Sequence, residues 1–576
     1  MFPYAPFLCW IAPICGALMT PLFGIINQMR KYRSHLALTS IGLSAIFSIS
    51  MMPIVFRGEI IDLRIYPPPV EIGFLVDPLS VLMAVIISII GLFVAAFSVG
   101  YMHDDPSLTR FWFIMQLFIS GYILIVMADN FMLMFIGWEI VGLCCTYLTS
   151  FWYRDKERAH LGLKVNSILR IGDITLLIFI LIIYVYSGTF NYMDLSRDYS
   201  WILQLSKSGI LLISSIMLLV GIIGKAAQFP LHEWLPDMLF GTPSSSNALT
   251  ECLAGPYLMA RILPIFHGAY MAGFVELALF FLIAAWIGAI TGLLTALMAT
   301  VQRHPQRVMA YAISSVIGYM MTALGLAGLH DSLTSGYLAG VTILTIDAFV
   351  SALLILTTVL VSYAVRSENL YDMGGFKSKL AHRGMEVAVF AIINLPPFSG
   401  FWLSNWVQTL ALETTENTHL NNMGWLAYSG YGIFMILILT GCVTAFYGLR
   451  LMGLIFNREF PKRRIRDIPR SMHGSFAALL VVTMILDLSV PLIVPEFNTL
   501  FLSIIHEIIF QDFIKFSIYI IPSMSTIMTI IALIAGGYVS YQIYMVHGIS
   551  GEGLIKSYPF LSRIQDFLLN RCYLDD

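Results

Sequence analysis

The chain has 576 residues, of which 58% are apolar and 11% charged, with a mean hydropathy of +0.82. A soluble domain carries roughly 25% charged residues, so this composition excludes one and defines an integral membrane protein. The 32 Lys and Arg against 34 Asp and Glu leave a formal charge of −2, which argues against nucleic acid as a partner.

Apolar runs of about 20 residues, long enough to cross a hydrocarbon core of roughly 30 Å, recur about fifteen times. They lie near 7–27, 35–55, 78–101, 111–128, 131–152, 162–186, 209–228, 243–264, 275–300, 308–328, 337–364, 385–411, 428–455, 475–494 and 516–544. A shorter run at 499–513 reads as interfacial. No basic region precedes the first run, so a retained first helix is expected and not a cleaved signal. The predicted fold is therefore an all-α polytopic membrane protein with about fifteen transmembrane helices. Asp77-Pro78 reads as a helix N-cap followed by Pro in the first turn.

The loops alternate in basic residues. One set carries Arg30, Lys31 and Arg33, then Arg154, Lys156 and Arg158, then Arg303 and Arg307, then Arg366, Lys377, Lys379 and Arg383, and ends with Arg458, Lys462, Arg463, Arg464, Arg466 and Arg470. The loops near 128–130, 329–336 and 412–427 have none, and the one near 495–515 carries a single Lys, Lys515, at its end. The positive-inside rule puts the first set in the cytoplasm, with the N-terminus outside and the C-terminus inside.

Two apolar segments are broken by proline, near Pro230 and near Pro396, and breaks paired across two halves point to transport sites. They suggest an inverted repeat of two blocks of about five helices each, 111–264 and 275–455, between N-terminal helices at 1–110 and a C-terminal region at 456–576. Lys225 sits just before the first break, after the apolar stretch from Gly209 to Gly224. An ammonium there must be paired, hydrated or neutralised, which marks a functional site by default. Glu139, within the apolar run Phe131–Trp152, is its expected partner, either as a proton-exchanging pair or as a static one.

Arg170 and Asp173 stand i, i+3 on one helix face, with Lys164 nearer the cytoplasmic end of the same helix. They either pair locally or modulate the Glu139–Lys225 pair. His232, just past the break, either relays protons near neutrality or is simply hydrogen-bonded. In the second half Asp347 and, before it, Glu251 are intramembrane carboxylates without an evident basic neighbour, suited to protonation or to a hydrated path. Seven cysteines (Cys9, Cys15, Cys144, Cys145, Cys252, Cys442 and Cys572) show neither C-x-x-C spacing nor a His/Cys cluster, so no haem, iron–sulfur or zinc site is expected in this chain. The adjacent Cys144 and Cys145 read as small packing residues. The glycines of 548–553 lack a strand–turn–helix context and form no nucleotide loop.

Specific motifs carry a family resemblance over nearly the whole chain. They include Gly73-Phe74-Leu75-Val76-Asp77-Pro78, Gly137-Trp138-Glu139-Ile140-Val141-Gly142, Arg170-Ile171-Gly172-Asp173, Gly224-Lys225-Ala226-Ala227-Gln228, Met373-Gly374-Gly375 and Pro396-Pro397-Phe398-Ser399-Gly400-Phe401. With these the chain resembles the distal antiporter-like subunit of respiratory complex I, the subunit L or subunit 5 type, related to the large subunits of Mrp antiporters and membrane-bound hydrogenases. The resemblance implies that Glu139 and Lys225 form the proton site of the first half. It also shows departures. The family's channel histidine is missing from Thr242–Glu251, its central second-half lysine is Ser351, and its charged residues after the second break are replaced by Leu403-Ser404-Asn405-Trp406. The end, Asn570-Arg571-Cys572-Tyr573-Leu574-Asp575-Asp576, resembles the motif before the family's lateral helix, which is expected to be absent here or supplied elsewhere.

The resemblance therefore implies a membrane-arm subunit of a complex I-like redox-driven proton or Na⁺ pump, with the first half-channel retained and the second degenerate. Other antiporter-like and membrane subunits and lipids are the expected partners. Those partners would carry the iron–sulfur clusters and use a quinone or equivalent acceptor, the chain itself holding no cofactor or metal. A prokaryotic plasma membrane is the expected location. An Mrp-type cation/proton antiporter subunit and an ion-coupling subunit of a non-redox transporter stand as alternatives.

Overall fold

A computed structural model describes residues 4–66, 72–249, 253–416, 428–457, 465–491, 523–546 and 559–571. Helices dominate it. The first are α1 (Ala5–Ile25), α2 (Arg33–Val55), α3 (Pro78–Tyr101), α4 (Leu108–Met127), α5 (Phe131–Thr149), α6 (Lys156–Ser187), and the short α7 (Tyr192–Arg197) and α8 (Ser200–Lys207). There follow α9 (Leu211–Lys225), α10 (Trp234–Gly241), α11 (Ala254–Met271), α12 (Leu277–Val301), α13 (Pro305–Ala327) and α14 (Thr334–Val365). Last come α15 (Lys379–Ile392), α16 (Ser399–Glu413), α17 (Ser429–Met452), α18 (Arg470–Leu488), α19 (Met524–Ser540) and α20 (Pro559–Leu569). Among the described residues a two-stranded antiparallel hairpin, β1 (Ile61–Tyr66) and β2 (Ile72–Val76), is a departure from helix that the apolar pattern did not announce.

Local chemistry sets several boundaries. Asp77 caps α3, accepting from Ser80 N at 2.8 Å while Asp77 N donates to Ser80 Oγ at 3.0 Å, and Pro78 occupies the first turn as expected. Asn130 caps α5 by accepting from Leu133 N at 2.8 Å. Asp155 opens the 32-residue α6, and Gly188, in the left-handed conformation, closes it.

Twelve helices among the described residues are long and apolar enough to cross a membrane, or thirteen if the bent pair α8 and α9 is one span. The expected number of about fifteen counts runs without regard to interruption. A break leaves α9, α10, α15 and α16 each at 15 residues or fewer, too short to span alone. The interfacial run at 499–513, the loop at 548–553, Cys252, Cys572 and Glu251 lie outside the described residues.

Within the bundle, α13 and α14 are central, with 94% of their apolar windows buried, whereas α1, α18 and α19 are peripheral at 28–33%. The two breaks are alike in backbone. Ala227 (φ 49°) and Asn394 (φ 63°) each adopt the left-handed conformation two residues past the last helical one. Such a residue costs on the order of 1–2 kcal/mol and persists where its surroundings fix it. At the first break Ser314 Oγ on α13 donates to Ala227 O at 2.6 Å, and Trp234 Nε1 donates to Gly224 O at 2.8 Å. These bonds satisfy carbonyls that an interrupted helix leaves open.

Candidate functional site

Helices α6 and α9 approach backbone to backbone. A Cβ on Gly172 would stand 3.2 Å from the Cα of Gly224, so only small residues permit this spacing. The close approach puts Lys225, the last residue of α9, beside the middle of α6. Glycine also makes room opposite: a Cβ on Gly142 of α5 would meet Lys225 Nζ at 2.6 Å and Arg170 Nη2 at 2.9 Å.

Around that gap four charged residues form a row of alternating sign. Arg170 Nη1 donates to Glu139 Oε2, and Arg170 Nη2 lies 2.8 Å from Asp173 Oδ2. Trp138 Nε1 donates to Asp173 Oδ1 at 2.6 Å, and Lys225 Nζ stands 3.7 Å from that same oxygen. Lys225 also lies 5.4 Å from the centre of the Trp138 indole, within cation–π range. Its side chain is 3% exposed and its ammonium has no aligned hydrogen-bond partner.

The expected direct Glu139–Lys225 pair is therefore corrected. Arg170 and Asp173, one turn of α6, lie between the two and take up both charges. Trp138 precedes Glu139 in the sequence, yet its neighbour gave no sign that the indole would reach Asp173 on another helix.

A second cluster lies past the first break. His232 Nε2 is 3.1 Å from Glu233 Oε1, although neither ring nitrogen has an aligned hydrogen-bond partner. Tyr311 OH, on α13, reaches both Glu233 carboxylate oxygens at 3.3 Å. Glu233 and Asp237 stand i, i+4, which places both on one face at the start of α10. Lys164 Nζ lies 2.9 Å from Asp237 Oδ2, so this lysine belongs to the second cluster and not to the Glu139 row. Arg571, just past α20, donates to Asp237 Oδ2 at 2.8 Å and lies 3.2 Å from Glu233 Oε2. The spacing of Glu233 and Asp237 was a usable signal that the sequence reading passed over. Nothing local marked Arg571.

In the second half Asp347 sits on α14, where Ser351 Oγ donates to its Oδ2 at 3.2 Å. Asp347 lines a cavity of about 60 Å³ at the second break. Asp487, on α18, accepts from Ser399 N at 3.1 Å and so caps α16 from a neighbouring helix. Its position in an apolar run was itself a signal the sequence reading missed. Asp77 carries a second role as well. Arg261 on α11 donates to both its carboxylate oxygens, and the two residues are 3% and 7% exposed. Cys144 and Cys145 are buried free thiols.

A helical membrane protein with two interrupted spans, and with a charge row that ends on a buried lysine at the first break, is an antiporter-like membrane subunit. Residues 128–422 match the transmembrane family described as NADH:quinone oxidoreductase/Mrp antiporter. Residues 66–112 match the N-terminal segment of chain 5 of NADH-ubiquinone oxidoreductase, complex I. The chain belongs to this family of complex I-like, antiporter-type subunits.

Chloroplastic NAD(P)H-quinone oxidoreductase subunit 5 of Zygnema circumcarinatum is 30% identical, over 78% of this chain and 64% of its own length. NAD(P)H-quinone oxidoreductase chain 5 of a Picosynechococcus species is also 30% identical, over 78% of this chain and 68% of its own. The chain thus spans about two thirds of the length of these relatives. Among solved structures, an archaeal membrane-bound sulfane sulfur reductase superposes with a TM-score of 0.71, at 21% identity over 85% of this chain and 77% of the other. The Mrp complex of a Dietzia species gives 0.69, at 17% identity over 87% and 97%. These two likenesses define the fold.

Proposed function

We propose that the chain is an ion-translocating membrane-arm subunit of a complex I-like, redox-driven assembly, and that its first half couples proton uptake at Glu139 to proton release at Lys225 through the ion pairs of Arg170 and Asp173. The observation that carries this reading is the alternating row itself. Arg170 is shared between Glu139 and Asp173, and Asp173 is shared between Arg170 and Lys225. The two inner charges are each held from both sides, so a change at one end of the row is felt at the other. When Glu139 takes a proton, Arg170 turns fully to Asp173, and the hold of Asp173 on Lys225 weakens. Lys225 can then release a proton towards His232 and the second cluster. Moving one charge across 100 mV needs about 2.3 kcal/mol, within reach of the loss of one buried ion-pair contact.

The second half lacks the family's central lysine, with Ser351 in its place, so transfer there requires Asp347 and water, or pumping is reduced or lost. The blocks 111–264 and 275–455 act as the two halves of an inverted repeat, a reading supported by the matching left-handed residues Ala227 and Asn394.

Glu139 and Arg170 have side chains 27% and 31% exposed at mid-helix positions. Charges facing lipid there would be costly, which supports cover by another antiporter-like or membrane subunit. Partner subunits would carry the iron–sulfur clusters and the quinone-reducing or hydrogenase-type chemistry. The location is read as a prokaryotic plasma membrane, and the basic-loop pattern supports an orientation with the N-terminus outside and the C-terminus in the cytoplasm.

The test reconstitutes the intact complex in proteoliposomes and compares Lys225→Ala with the parent for proton uptake per electron pair and for redox turnover. A lowered proton-to-electron ratio at retained turnover is expected. If both quantities are unchanged, the first half is not a proton path and the subunit serves as an anchor.

A further inference from the structure

The cavity at the second break has a composition unlike that of the first site. Asp347, Asn394, Ser399, Ser404, Thr444 and Ser315 contribute to its lining, and no Lys, Arg or His does. Two of its wall residues, Ala391 and Ile392, are the last of α15, so the negative end of that helix faces the space. Asp487 stands at the start of α16. One of its oxygens is used by Ser399 N, while the other is buried without a hydrogen-bond partner, the residue being 0% exposed. Tyr319 lines the same cavity, and Tyr447 lies close enough to Asp347 to feel its charge. Among the described residues the titratable groups around Asp347, namely Asp487, Tyr319 and Tyr447, are thus all acids.

A carboxylate in such surroundings must be neutralised by a proton or by a bound cation. Carboxylate, amide and hydroxyl oxygens beside an unwound, carbonyl-bearing break are hard donors of the kind that hold alkali cations in interrupted-helix transporters. About 60 Å³ holds an ion with a few waters, at roughly 10–15 Å³ for each. A single lining carboxylate suits a monovalent ion better than a divalent one, which recruits more anionic ligands.

We propose that the second half of this chain is a Na⁺ site centred on Asp347, at which Na⁺ and a proton compete. The site gives the chain two chemically different halves, a lysine-based one at α9 and a carboxylate-based one at α14. It rests on the reading of the chain as an ion-translocating subunit, but its binding is measured at equilibrium, without turnover.

The experiment uses the intact purified complex and radioactive Na⁺ as the probe. The parent, Asp347→Asn and Ser404→Ala are compared, with choline as the inert cation. Loss of one bound Na⁺ per complex in Asp347→Asn is expected, with at least about tenfold weaker binding in Ser404→Ala, equivalent to about 1.4 kcal/mol. A parallel measurement follows modification of Asp347 by dicyclohexylcarbodiimide, which attacks protonated buried carboxyls, and Na⁺ slows it where choline does not. Equal Na⁺ binding in the parent and Asp347→Asn overturns the proposal. Should Asp347→Asn fail to assemble, unchanged Na⁺ affinity in Ser404→Ala overturns it equally. Failure of the Lys225→Ala pumping test would leave these binding results standing, so the two readings fail separately.

Discussion

Arg571 closes on Asp237 across 334 positions of sequence, with Nη1 of the guanidinium 2.8 Å from the carboxylate Oδ2 and its side chain only 11% exposed. The contact ties the segment past α20 to the helix that follows the first break. It also sets the charge of the Glu233–Asp237 face on which His232 and Tyr311 converge. Asp237 has a second cation in Lys164, whereas Glu233 pairs with Arg571 and lies beside the His232 imidazole.

Replacing Arg571 by Ala should therefore destabilise the complex and uncover the cluster. Breaking a buried pair from one side costs about 3–5 kcal/mol, and the retained Lys164 places this case at the lower end. Thermal unfolding of the purified complex should show a clear drop, largely restored by Arg571→Lys. Proton uptake should change as well, because Glu233 would then be uncompensated. An unchanged melting temperature in Arg571→Ala would show that the docking is energetically idle.

Asp173 is the hinge of the charge row. Asp173→Asn keeps the volume and leaves Arg170 and Lys225 facing each other with one negative charge too few. Proton uptake per electron pair should fall at least severalfold, and stability should drop by on the order of 3 kcal/mol. Denaturant unfolding together with proteoliposome assays would check both, and retention of full pumping would contradict the row as a path.

Gly142 provides the space that Lys225 Nζ and Arg170 Nη2 occupy. A methyl there meets the far ends of two flexible side chains and not backbone. Gly142→Ala should accordingly assemble normally while displacing both cations. The expected readout is normal complex yield with translocation reduced by half or more. Loss of assembly would instead mean that α5 itself cannot accept the methyl.

At the loop between α4 and α5, burial pushes the Asp129 carboxyl up to about 7, with the hydrogen bond from Asn130 opposing and the nearby Asp62 reinforcing the rise. Asn130 Nδ2 and Asn191 Nδ2 donate to it at 2.6 and 3.2 Å. The folded form therefore holds a proton that the unfolded form, near 3.8, has lost. This contribution to stability is complete below about 3.8 and disappears as the pH rises through about 7. The unfolding temperature of the parent should fall between pH 6 and pH 8, and Asp129→Asn should flatten that slope. An equal slope in both would assign the pH dependence to other groups.

Much of the helical frame was legible in the chain order, because apolar runs of bilayer length and alternating basic loops are local properties. Asp77 as a helix cap and the breaks near Pro230 and Pro396 were readable for the same reason. The hairpin of β1 and β2 was not, since it is short and flanked by ordinary loop residues. The site was legible only in part. Lys225, Glu139, Arg170, Asp173 and His232 stood out as costly polar residues in apolar surroundings. Their pairing did not, because Glu139 and Lys225 could be matched by sign but not by distance.

The sequence by itself determined that this is a membrane protein with two interrupted spans, and which charged residues lie within it, because the cost of charge in hydrocarbon is written residue by residue. Only the tertiary structure decided the partners. The Gly172–Gly224 approach brings Lys225 to Asp173, α5 delivers Glu139 to Arg170 instead, and a return of the chain brings Arg571 to Asp237. Ion pairing depends on a few ångströms between side chains of different helices, and that separation is a property of the packed bundle.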